Sequence, residues 1–162
     1  MAWYPNLELL LAGDRDLPEN LQSWKDRFVY IPFGDWRKLP GMIARANINL
    51  APLTDNLFNE AKSENKWVEA ALVKVPTVAS RVGAFAHSIT HGSNGMLCAS
   101  PQEWEEALRL LIENEALRTQ IGNNAYTYCR KHRTTIYTAV PFANEIRRLM
   151  HPNLVFIVPV LQ

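Results

Sequence analysis

The densest group of reactive side chains lies in residues 59–80, NEAKSENKWVEAALVKVPTVAS. Lys62 and Ser63 close a loop, and Lys66 and Glu69 follow within the next six residues. A helix beginning near Glu64 or Asn65 sets Lys66 and Glu69 one turn apart, facing the same cleft. The start of such a helix offers free backbone N–H groups and the positive end of a dipole, which together hold an anion. Ser63 can cap the helix, and Lys62 and Lys66 can add charge. A solvated helix face is the alternative reading of Lys62, Lys66 and Glu69.

Other chemistry-bearing residues point elsewhere. Asp14-Arg15-Asp16 has a spacing that can hold Mn²⁺, but it follows Gly13 in a proline-bounded loop without a further carboxylate cluster. It reads as a solvated turn. His87, His91, His132 and His151 lack a metal-ligand pattern with a third ligand. His91-Gly92 reads as a loop-shaping pair. Cys98 and Cys129 fall in apolar patterns and read as buried thiols of a reducing compartment rather than nucleophiles. Arg130-Lys131-His132-Arg133 complements a helix C-terminus, with an anionic membrane or acceptor as the alternative partner.

The elements that must position these residues alternate. Apolar runs at 7–12 (LELLLA), 28–32 (FVYIP), 47–52 (NINLAP), 75–80 (VPTVAS) and 95–99 (GMLCA) read as strands covered on both faces. Helical spacing occupies 36–45, 64–74, 101–114, 115–132 and about 136–150. Ser100, Pro101 and Glu103 mark a helix start. Strands alternating with helices imply βαβ units. The class is α/β, a Rossmann-like parallel sheet flanked by helices. The loop from Leu53 to Asn59 then leaves the carboxyl end of a parallel strand, where such folds bind ligands.

Composition narrows the function. The 162 residues fit one compact domain, and 48% apolar with 20% charged residues is globular composition. Seventeen basic against sixteen acidic residues give a net charge of +1, too small an excess for a protein that grips nucleic acid. No run has the length of a membrane span, and Trp3, Pro5 and Glu8 interrupt any signal peptide.

Six motifs in order resemble the C-terminal, donor-binding domain of retaining glycosyltransferases of the GT-B fold, family 4. They are Val68-Glu69-Ala70-Ala71, Val75-Pro76-Thr77-Val78-Ala79-Ser80, Val82-Gly83-Ala84, and His91-Gly92-Ser93-Asn94-Gly95-Met96-Leu97. The helices carrying Trp104, Leu111-Ile112, Leu117-Arg118 and Ile121-Gly122 are the fifth. The sixth is Phe58-Asn59 with Lys62-Ser63 and Lys66, the "FN…KS…K" loop of one subgroup. The resemblance spans about residues 7–150.

It implies roles. Glu69 would accept hydrogen bonds from both ribose hydroxyls. Ser63 and the N–H groups of Glu64 and Asn65 would cradle the diphosphate. Lys62 or Lys66 would neutralise the leaving nucleoside diphosphate. Residues 31–34 would sit beside the base, with Phe33 stacked on it. The substrate would be a nucleoside-diphosphate sugar, with no metal and no cofactor. The acceptor would be a hydroxyl, in surface polysaccharide or glycan assembly. The enzyme would be cytoplasmic, or peripheral at the inner membrane face.

The sequence also departs from the family. An acidic residue usually precedes the second glutamate by eight positions; here that position is Ala61. The family's opening strand, glycine turn and helix, with a phosphate-binding arginine, have no counterpart before Leu7. The N-terminal acceptor domain has none either. The chain is thus expected to be a piece of a larger enzyme, inactive in transfer by itself. Residues 1–150 form the nucleotide-sugar domain. Residues 151–162 form an apolar tail, whose strand-like part runs from Leu154 to Leu161 and resembles the opening of another such domain. That strand is expected to fill the central vacancy of the sheet, between 7–12 and 47–52, from its own chain or swapped in a dimer. Two rivals remain. A nucleotide-sugar epimerase of the same fold would need its own acid–base residues in the cleft. A non-catalytic module binding nucleotide or a partner is favoured by Ala61 and the absent arginine unit.

Overall fold

The computed structural model describes residues 4–13, 17 and 19–150. Five strands form among them: β1 (Leu9–Ala12), β2 (Phe28–Ile31), β3 (Asn49–Ala51), β4 (Thr77–Ser80) and β5 (Met96–Cys98). Each lies inside a run expected to be a strand, trimmed by one to three residues at its ends. All pairings between them are parallel, so the α/β class holds.

The strands form two sheets rather than one, in the orders β1-β2 and β3-β4-β5. The chain divides accordingly into two compact units, Met1–Met42 and Ile43–Gln162. The first unit holds the β1-β2 pair, with Leu9 opposite Phe28, joined through a 3-10 helix at Glu19–Arg27. Arg27 braces this unit by donating to the Tyr4 carbonyl at 2.9 Å. The segment expected as one helix at 36–45 is a 3-10 turn, Trp36–Lys38, running into the short α1 (Leu39–Ile43). Pro40 sits in the first turn of α1, where its missing N–H costs nothing.

The second unit carries α2 (Leu57–Glu60), α3 (Asn65–Leu72), α4 (Gly83–Ser88), α5 (Pro101–Glu113), α6 (Glu115–His132) and α7 (Thr135–Met150). Its central strand β4 is buried at every residue. Alternate residues feed two cores. Ala79 joins Ala51, Trp67, Ala71, Phe85 and Cys129 on one face. Val78 joins Met96, Cys98, Leu111 and Ile121 on the other. A strand covered on both faces has no solvent side to carry alternate polar residues, which is why these runs do not alternate.

The cap expected at Ser100 is present. Ser100 Oγ accepts from the Glu103 N–H at 3.2 Å, and the Glu103 carboxylate accepts from the Ala99 N–H at 2.6 Å. Asn114 does the same for α6, accepting from Leu117 N–H at 2.9 Å. Two short helices were not expected. α2 stands in a segment that reads as an open loop in the sequence, and α4 in one that reads as a glycine turn alone. The tail at 154–161, its proposed place in the sheet, and Asp14-Arg15-Asp16 lie outside the described residues. Among the described residues no helix is long and apolar enough to cross a membrane.

Candidate functional site

The β3–α3 connection leaves the carboxyl end of β3, turns through α2 and enters α3 at Asn65. Asn56 caps α2 by accepting from the Asn59 N–H at 2.9 Å, and buried Asn59 donates its amide to the Thr54 carbonyl at 2.8 Å. Gly83, at the start of α4, lies against this turn with φ +50; a Cβ there would stand 2.8 Å from the Glu60 carbonyl oxygen. Only glycine combines that backbone with that approach. The glycine turn after β4 therefore fixes the loop after β3.

α3 begins without a side-chain cap. Its N-cap residue is Glu64, so Ser63 stands one position outside and does not cap it, contrary to expectation. Trp67 and Val68 N–H groups bond to the Glu64 carbonyl at 2.9 and 3.1 Å. The buried side of the helix is Trp67, Ala70 and Ala71. Trp67 is wholly buried, donates its indole N–H to the Asn94 carbonyl at 2.9 Å, and packs on Tyr128 with ring centroids 5.8 Å apart. Asn94 in turn accepts from the Thr90 N–H at 2.7 Å, which gives the Ser93-Asn94-Gly95 stretch a structural role.

With Trp67 inward, helical spacing turns Asn65, Lys66 and Glu69 out together, and all three are exposed. Lys62 and Ser63 are exposed as well. The Lys62 ammonium lies 4.7 Å from the centroid of the Phe58 ring. Among the described residues Glu69 has no ion-pair partner. Glu64 is different. Its carboxylate accepts from Arg133 Nε at 2.9 Å and from Ser88 Oγ at 3.2 Å. Phe33 belongs to the first unit, just past β2, where its ring edge lies against Gly13 and the residue is 94% exposed. Trp36, also exposed, stands three residues on with Arg37 over its ring at 5.1 Å.

A cleft of about 290 Å³ opens at the carboxyl ends of β3, β4 and β5. Asp55, Ser80, Arg81, Ser100 and Trp104 are among its lining residues, and none of the residues selected from the sequence is. The two cysteines stay out of chemistry. Burial pushes the Cys98 thiol up to about 11, helped by Glu103 and opposed by Arg81. Burial likewise pushes Cys129 up to about 12, with Arg133 opposing and Glu64 adding. Both remain protonated thiols at neutral pH.

Residues 2–114 match the family model described as glycosyl transferases group 1. An uncharacterized glycosyltransferase of Methanocaldococcus jannaschii, MJ1178, is 33% identical over 66 residues, which is 40% of this chain and 19% of that protein. Among solved structures, sucrose-phosphate synthase of Thermosynechococcus elongatus superposes with a TM-score of 0.74 at 19% identity, over 94% of this chain and 41% of the synthase chain. Anabaena Alr3699/HepE, solved with UDP, superposes with a TM-score of 0.66 at 20% identity, over 88% of this chain and 41% of its own. The chain thus spans less than half the length of these relatives. The fold is the Rossmann-like α/β half of the GT-B architecture.

Proposed function

This chain belongs to the glycosyl transferases group 1 family, and from that premise we propose that it is the donor-binding part of an enzyme that moves a sugar from a nucleoside-diphosphate sugar to a hydroxyl acceptor. The observation that carries the reading is the uncapped start of α3, with Lys62, Lys66 and the carboxylate of Glu69 exposed around it. Backbone N–H groups at Ser63, Glu64 and Asn65 take the diphosphate. Lys62 or Lys66 offsets the charge that builds on the leaving diphosphate as the glycosidic bond breaks. Glu69 receives two ribose hydroxyls. HepE, solved with UDP and also with UDP-glucose, supports a nucleotide-sugar donor.

The rest of the enzyme supplies the acceptor side. Its acceptor belongs to surface polysaccharide or glycan assembly, in the cytoplasm or at the inner membrane face. The reaction needs no metal, so affinity for the nucleotide should be the same with EDTA present. A second reading, a module that binds nucleotide or a partner without catalysis, is favoured by Ala61 at the position of the family's first acidic residue. Calorimetric titration with UDP and GDP tests the proposal. Binding that depends on Glu69 supports it; failure of both nucleotides to bind overturns it.

A further inference from the structure

Glu64 is placed where it ought to spoil an anion site. It is the N-cap residue of α3, and a carboxylate beside a helix N-terminus is attracted to that helix's free N–H groups. A negative charge there would occupy those donors and repel a diphosphate. Instead its side chain, 19% exposed, is drawn off the helix by Arg133, which donates from Nε at 2.9 Å. Ser88 completes the arrangement. Its hydroxyl donates to the same Glu64 oxygen at 3.2 Å and accepts from the Arg133 guanidinium at 3.1 Å. Arg133 is itself fixed. It is the C-cap residue of α6, its N–H bonds to the Cys129 carbonyl at 2.7 Å, and its guanidinium lies 5.9 Å from the Tyr128 ring centroid.

We propose that Arg133 is a positioning residue for the donor: it holds and neutralises the Glu64 carboxylate so that the start of α3 stays open to the diphosphate. The inference rests on the donor reading above. It also makes the end of α6, where α7 follows at Thr135, a structural determinant of donor affinity.

The test is a comparison of Arg133→Gln with Glu64→Gln, each titrated with UDP and GDP and each melted. Both variants lose the ion pair, so their unfolding midpoints should fall together. Their affinities should part. Arg133→Gln releases a charged carboxylate beside the site, whereas Glu64→Gln leaves a neutral amide. Glu64→Gln should therefore bind nucleotide about tenfold more tightly than Arg133→Gln, a difference of about 1.4 kcal/mol. Adding Glu64→Gln to Arg133→Gln should restore most of the lost affinity without raising the midpoint. The Arg133→Gln defect should also shrink with added salt. Equal losses in the two single variants, following the midpoint, overturn the inference while leaving the donor reading in place. A wild-type chain that binds neither nucleotide overturns both.

Discussion

Glu64 and Glu69 are two carboxylates on the same stretch of chain with different surroundings. Glu64 is committed to Arg133 and Ser88, and Glu69 has no ion-pair partner among the described residues. The sequence made Lys62, Ser63, Lys66 and Glu69 legible as a group because helical spacing is local. It could not reveal the fate of Glu64, because its partners are distant in sequence and reach it only in the folded chain, Arg133 from the end of α6 and Ser88 from α4. Glu69→Ala should lower UDP or GDP affinity by about tenfold to a hundredfold, the value of charge-assisted hydrogen bonds to hydroxyls. Calorimetry should show this without a shift in the melting midpoint, since the side chain is exposed. The thiols give a prediction in pH. Both have folded values above the ordinary 9.0, so their contribution to stability is intact below that pH. Above it the unfolded chain loses thiol protons that the folded chain keeps, and stability falls by about 1.4 kcal/mol per pH unit for each thiol. The fall continues toward about 11 for Cys98 and about 12 for Cys129. Urea midpoints between pH 7.5 and 10.5 should decline less steeply in Cys129→Ala than in the parent chain, to a degree set by that protonation.

At the scale of elements, the α3–β4 turn shows how one helix constrains another. α3 ends in a Schellman arrangement: Val75 N–H bonds to the Ala70 carbonyl and Lys74 N–H to the Ala71 carbonyl, both at 2.9 Å. Lys74 holds the left-handed position at φ 63, a place usually given to glycine, and its ammonium lies 5.2 Å from the Tyr126 ring centroid. Gly122 of α6 comes against this turn so closely that a Cβ would land on the Lys74 carbonyl oxygen. Backbone is on both sides of the contact, so neither can yield as a flexible side chain would. Gly122→Ala should therefore cost about 1–3 kcal/mol, seen as a lower denaturant midpoint with an unchanged slope. A midpoint equal to that of the parent would mean that α6 can shift freely. Long elements with caps were legible in advance: Ser100, Pro101 and Glu103 announced α5. α2 and α4 were not, because four and six residues are too few to display a helical period. They exist because Asn56 caps one and Gly83 lets the other approach it.

At the scale of the whole molecule, the parallel strands were legible because strands buried on both faces write themselves as unbroken apolar runs. Their division into two sheets was not, since each strand reads the same whichever neighbour it pairs with. Function divides too. The chain covers 41% of both HepE and sucrose-phosphate synthase, and the proposed roles of its residues concern the donor alone. Sugar transfer has a further requirement. The acceptor hydroxyl must be held against the anomeric carbon as the diphosphate leaves, with water kept out. Fixing both reactants is worth several powers of ten in rate, and binding the donor alone supplies none of that part. In the proposed reading, Lys62 ahead of α3 and Lys66 and Glu69 on it serve the diphosphate and ribose, which leaves none of them to orient an acceptor. The 162-residue chain should accordingly bind nucleotide yet transfer no sugar. Incubation with UDP-glucose or a GDP-sugar and a panel of glycan acceptors, followed by mass spectrometry, should yield no glycosylated product. Turnover that depends on Glu69 would show instead that these residues carry both the donor and the acceptor chemistry.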